Sequence, residues 1–187
     1  REIIEMLFIL GTSGMIDVRF CDEVAFNLEP NVPYGWNPIG EQLEVVSRKG
    51  GNLNVFGMLN VQTGALNSFT TTGKVDSAQV IEWLDNFVST MSKTTVLIMD
   101  NAPWHKSQMM MAKMEEWQQK DLYIFFIPPY SPHLNLIEIL WKMMKYQWLR
   151  PQDFKSRTTL HSRIHHLLHN YGEAGFTVNY DLSKICD

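Results

Sequence analysis

Cysteine is almost missing from this sequence of 187 residues: Cys21 and Cys186 stand far apart, outside any CxxC or Cys/His ladder. That scarcity excludes a disulfide framework and a structural zinc site, and it fits a reducing, intracellular setting. No apolar run nears the roughly 18 residues needed to cross a bilayer, and no export signal is expected. A basic excess is lacking too, with 16 Lys and Arg against 20 Asp and Glu, a formal charge of −4 and a pI near 5.9. Stand-alone nucleic-acid readers usually present a net basic surface, so charge placement has to matter more than the sum. What remains is ordinary globular composition, 45% hydrophobic and 19% charged, enough for one well-filled core. A single domain over residues 1–187 is expected, with a core at about 14–150 and a helical region at about 151–187. The start at Arg1 suggests a fragment of a longer protein.

The most informative stretch is Val96-Leu97-Ile98-Met99-Asp100-Asn101. Its apolar part has no polar alternation and reads as a strand buried on both faces, the pattern of a central parallel strand. Asp100 falls where the strand ends. Helices covering both faces of such a sheet leave a crevice open at the carboxyl ends of the strands, although Asp and Asn also end strands through turn preference alone.

Taken in order, residues 1–10 are apolar enough for a helix or a strand, and their periodicity does not decide. After Gly11 to Gly14 a strand alternates, with Ile16, Val18, Phe20 and Asp22 on one face and Asp17, Arg19, Cys21 and Glu23 on the other. Asp22, rather than Glu23, therefore continues the core-facing row. Residues 29–51 are rich in Pro and Gly and read as a long excursion around a short strand at Leu43 to Ser47. Arg48 and Lys49 beside Gly50-Gly51 form a common solvated arrangement that also suits phosphate contact. Residues 52–60 and 65–72 pair as a hairpin around Gln62-Thr63-Gly64. Asp76 or Ser77 caps a helix with Val80, Ile81, Leu84, Phe87, Val88 and Met91 inward, and Ser107 caps another with Met110, Met114 and Trp117 inward. Leu122 to Ile127 is a fifth strand, apolar throughout and so central or parallel.

Three strands, a helix, a strand, a helix, a strand and further helices follow the order of a ribonuclease-H-like fold. That α/β architecture has a five-stranded mixed sheet, order 3-2-1-4-5, flanked by helices. The first and fourth strands are then parallel neighbours, and Asp22 and Asp100 face one another at the switch point.

Beyond the fifth strand, Asn135 can cap a helix with Glu138 three positions on, a capping-box-like start, and Lys142 four residues after Glu138 suits an ion pair along the helix. The wording of the sequence adds a second reading. Asp100-Asn101-Ala102-Pro103-Trp104-His105-Lys106-Ser107, then Ile127-Pro128-Pro129-Tyr130-Ser131-Pro132-His133-Leu134-Asn135-Leu136-Ile137-Glu138 with Trp141, resemble the catalytic DDE core of the mariner-like superfamily of transposases, especially its bacterial insertion-sequence branch. Asp22-Glu23-Val24-Ala25-Phe26 and Tyr34-Gly35-Trp36-Asn37-Pro38-Ile39-Gly40 resemble its first catalytic stretch. The likeness spans about Phe20 to Trp148. Leu136 departs from the proline usual before the Ile-Glu pair, which alters the helix entry and leaves the carboxylate in place.

The resemblance implies an acidic triad of Asp22, Asp100 and Glu138 that cuts and joins DNA. It implies two Mg²⁺ or Mn²⁺ ions as cofactors, Asp22 bridging both, Asp100 holding one and Glu138 the other. Hard cations take oxygen ligands, and a pair of them serves in-line displacement at phosphorus. Implied partners are the inverted-repeat ends of a transposon, target DNA and a second copy of the protein in a homodimer, with a separate N-terminal helix-turn-helix reader. His105, Lys106, His133, Lys142 and Lys145 lie near the triad in sequence as candidate phosphate contacts. His105 also suits ordering of the loop after Asp100. His161, His165 and His169 share one face of a helix at 156–172, read as a solvated face because no carboxylate or Cys completes a metal set. Two rival functions stay open: another ribonuclease-H-like nuclease, or a non-catalytic derivative that binds DNA or protein.

Overall fold

A computed structural model describes residues 2–30, 39, 50–101, 107–129 and 131–180. The short strand expected at Leu43 to Ser47, and most of the excursion around it, lie outside these residues. The N-terminal apolar segment is a helix, α1 (Glu2–Thr12), with Ile4 and Leu7 buried. It is followed by β1 (Asp17–Phe26), β2 (Leu53–Leu59), β3 (Leu66–Thr71), α2 (Ser77–Thr90), β4 (Thr95–Met99), α3 (Gln108–Gln118), β5 (Leu122–Phe126), α4 (Ile137–Met143) and α5 (Arg157–His169).

The sheet order is β3-β2-β1-β4-β5, as expected. β1 runs antiparallel to β2 and parallel to β4, with Cys21 opposite Met99 as the last registered pair. All five residues of β4 are buried, which explains its unbroken apolar run. β5 is parallel to β4 but forms an edge, and Tyr123 is exposed. Its apolar character reflects packing of α3 and of the opposite helix layer rather than a central place.

Alternation sorts the strand side chains into two cores. Cys21, Phe56, Met58, Leu97 and Met99 meet Val80, Leu84, Met110 and Trp117 from α2 and α3. Val18, Phe20, Val24, Val55, Leu59, Val96 and Ile98 meet α1, α4 and α5 through Ile4, Ile137, Leu140, Trp141, Leu160 and Ile164. Each fully buried aliphatic or aromatic side chain contributes about 1.5–3 kcal/mol of transfer free energy. The even row of β1 is the more buried one, as the alternation predicts; in the odd row Cys21 is buried, Asp17 and Arg19 are half-buried, and Glu23 and Ala25 are exposed.

Helix starts follow the expected chemistry in three cases. Asp76 accepts from the Gln79 amide at 2.9 Å, and the Gln79 side chain accepts from the Asp76 amide at 3.3 Å. Ser107 accepts from the Met110 amide at 3.3 Å and Ser156 from the Thr159 amide at 3.1 Å. α4 is the exception. Its N-cap is Leu136, with no side-chain cap bond, so the capping-box reading of Asn135 and Glu138 does not hold.

Candidate active site

Asp22 lies in the second half of β1, half-buried, while its neighbour Glu23 is exposed. Opposite it on β2 is Gly57. On the other side, one step past the Cys21–Met99 pair of the parallel ladder, comes Asp100. Adjacent strands lie about 4.8 Å apart, and parallel neighbours in register point their side chains to the same face. Asp22 and Asp100 therefore extend the rows of Val18, Phe20 and of Val96, Ile98, towards the α4 layer.

Glu138 arrives from that layer. Ile137, Leu140 and Trp141 of α4 are buried, and the helix seats itself over Gly57. A Cβ built there would meet Trp141 Cη2 at 2.6 Å, Cζ2 at 2.7 Å and Ile137 Cδ1 at 3.0 Å. A glycine inside a strand often marks such a close approach. At the helix entry, Asn135 Nδ2 donates to the Cys21 carbonyl at 3.1 Å, and the Glu138 amide donates to the Asn135 carbonyl at 3.1 Å. Glu138 itself is half-buried. Among the ion pairs of the described residues there is none between Glu138 and Lys142, so the helical pair considered from spacing is not made.

The carboxyls feel one another. Burial first, then the Glu138 carboxyl and, more weakly, those of Asp100 and Glu23, push Asp22 up from its ordinary 3.8 to about 8, against a hydrogen bond from the Glu23 backbone that lowers it. A hard divalent cation is the natural counter-charge for such an all-oxygen set, and Mg²⁺ or Mn²⁺ fits its chemistry. As the side chains stand, no three His, Cys, Asp or Glu groups among the described residues are already gathered into a metal cage. Three buried polar atoms on neighbouring segments, Asn101 Oδ1, Asn135 Oδ1 and Trp141 Nε1, have no hydrogen-bond partner among the described residues.

The candidate DNA contacts divide. Arg48, Lys49, His105 and Lys106 lie outside the described residues. His133 is exposed in the turn Pro132–Leu134 before α4, and Lys142 is exposed on α4. Lys145 is half-buried, its Nζ 5.7 Å from the centre of the Phe26 ring, at the end of β1. On α5, Leu160, Ile164 and Leu167 are buried, while His165 and His169 are exposed and His161 Nε2 sits 3.0 Å from the Gly51 carbonyl. Gly57 and Asn135 are the site-building residues that pattern reading passed over. The isolated glycine in the β2 run was the available signal for the first; the second had none, since an Asn before a helix reads as a cap.

The sheet is ribonuclease-H-like, and Asp22 of β1, Asp100 at the end of β4 and Glu138 of α4 approach one another across it. Residues 17–161 match the DDE superfamily endonuclease family, and the chain belongs to it. It is 29% identical over 157 residues to the insertion element IS630 uncharacterized 39 kDa protein of Shigella sonnei, covering 81% of this chain and 44% of that protein. It is 37% identical over 60 residues to the y4pE/y4sA protein of Sinorhizobium fredii, 32% of this chain and 40% of that one. Among solved structures, the Mos1 mariner paired-end complex with Mn superposes with a TM-score of 0.62 at 16% identity, covering 89% of this chain and 52% of the other. The Mos1 paired-end complex with the left transposon end gives 0.60 at 16% identity over the same shares. The fold is thus shared with Mos1, and the chain spans about half the length of these two proteins, IS630 and Mos1. No described helix is long and apolar enough to cross a membrane.

Proposed function

We propose that this chain is the catalytic domain of an insertion-sequence transposase, which cuts phosphodiester bonds at the ends of its element and joins the freed strands to target DNA. The observation that supports this best is the approach of Asp22, Asp100 and Glu138 at the carboxyl ends of adjacent parallel strands. It occurs in a chain of the DDE superfamily endonuclease family. Mos1 has been solved in paired-end complexes with Mn and with Mg and in a strand-transfer complex, which supports the same substrates here.

On this reading Asp22, Asp100 and Glu138 would together hold two divalent cations, Asp22 lying beside both of the other carboxyls. Two divalent cations, when bound, activate the attacking oxygen and stabilise the leaving one. The protein's own part is to hold the three carboxyls ionised and close, and to place the phosphate. Lys142, Lys145 and His133, with Arg48, Lys49, His105 and Lys106, serve as phosphate contacts that set register without reading bases. A homodimer pairs the two ends, and sequence reading falls to a separate helix-turn-helix region.

The test is nicking of a labelled element-end duplex by the full-length protein with Mg²⁺ or Mn²⁺. Asp100→Ala is expected to reduce nicking to background. Equal nicking by both proteins would defeat the assignment, and end binding without metal-dependent nicking by the wild type would favour a non-catalytic derivative.

A further inference from the structure

Asn135 is 3% exposed and does not cap the helix it precedes. Its side chain instead crosses to β1, where Nδ2 donates to the Cys21 carbonyl, one residue before Asp22. Its own carbonyl accepts from the Glu138 amide. One residue therefore holds the backbone next to Asp22 with its side chain and the backbone of Glu138 with its main chain. Its remaining amide atom, Oδ1, is buried with no partner among the described residues. An amide with one of its two polar atoms unmet carries a desolvation cost that offsets much of what its single bond contributes. Apolar packing holds the same helix over Gly57 through Ile137 and Trp141, without fixing its register.

We propose that Asn135 is a positioning residue: by pinning the entry of α4 to β1 it sets the reach of Glu138 towards Asp22 and so the cation affinity of the carboxyl cluster. This rests on the reading of that cluster as a divalent-cation site. A helix held over Gly57 by Ile137 and Trp141 alone keeps its packing but loses the polar tie that fixes the register of its entry, and so of Glu138, along β1. Hard-cation sites depend on donor placement, and loss of a supporting hydrogen bond behind the ligands typically weakens metal binding about 10–100-fold.

The experiment titrates Mn²⁺ into the full-length, chelator-stripped protein and follows free Mn²⁺ by electron paramagnetic resonance, with a thermal melt of each variant. Asn135→Leu discards both amide atoms, relieving Oδ1 while removing the donor to the Cys21 carbonyl; it is expected to melt no lower than Leu140→Ala and yet bind Mn²⁺ about 10–100-fold more weakly than the wild type. Leu140→Ala, which opens a cavity in the same helix without touching the Cys21 link, is expected to melt lower and bind Mn²⁺ as the wild type does. Wild-type affinity in Asn135→Leu overturns the positioning role, as does an equal loss of affinity in Leu140→Ala. Absence of Mn²⁺ binding by the wild type overturns the cation-site reading itself, and the two failures are distinguishable.

Discussion

Asp22 holds its proton to about pH 8 because burial and the Glu138 carboxyl both oppose its charge. The unfolded chain releases that proton near 3.8, so between these values the native state binds more protons than the unfolded one, and raising the pH costs stability. The contribution is complete below 3.8 and gone once the pH has passed about 8. In chelator-stripped protein the melting temperature should therefore fall from pH 4 to 8 more steeply than in Asp22→Asn, which carries no titrating group there. Mn²⁺ added at pH 8 should recover the wild type and leave Asp22→Asn behind. Parallel slopes for the two proteins would show that Asp22 titrates normally.

Among the elements, α4 decides the geometry, and its seat is a missing side chain. Gly57→Ala puts a methyl group 2.6 Å from a buried tryptophan ring, an overpacking that should cost about 1–3 kcal/mol in denaturant unfolding. It should also lower nicking, because the helix that carries Glu138 has to lift. Unchanged stability would mean that Trp141 swings aside freely. The same region shows how far the elements were readable from residues alone. The unbroken run before Asp100 and the alternation through Asp22 identify β4 and β1, because burial on two faces and on alternating faces leaves different apolar periods. Asp76, Ser107 and Ser156 mark helix starts because capping is local chemistry. Asn135 defeats the same rule: its partner, Cys21, is 114 positions away, and no local pattern encodes so distant an acceptor. The apolar run of β5 fits a central or a parallel place, and the strand is parallel to β4 at the edge; the run alone does not tell the two places apart, because side chains of an edge strand also pack against both helix layers. The α1 segment, apolar on most sides, had no period to separate helix from strand.

For the whole molecule, a formal charge of −4 sets the terms of DNA binding. Attraction has to come from a few cations near the carboxyl crevice, so the salt dependence should be shallow, with each neutralised phosphate adding about 0.9 to the slope of log K against log salt. Lys142→Ala should remove about one such increment. Lys145→Ala should remove less, its ammonium lying against the Phe26 ring. Filter binding of an element-end duplex across salt concentrations measures both; a slope untouched by either change would place the contacts elsewhere. The parallel ladder joining β1 to β4 has a further consequence. Because hydrogen bonding between strands, and not distance along the chain, brings Asp22 beside Asp100, the hairpin and helix between them are free to lengthen or shorten during evolution. A lone residue gained inside either strand is another matter: it would turn one carboxylate through the sheet to the side of α2 and α3, so tolerance of insertions is generous around the chemistry and nil within it.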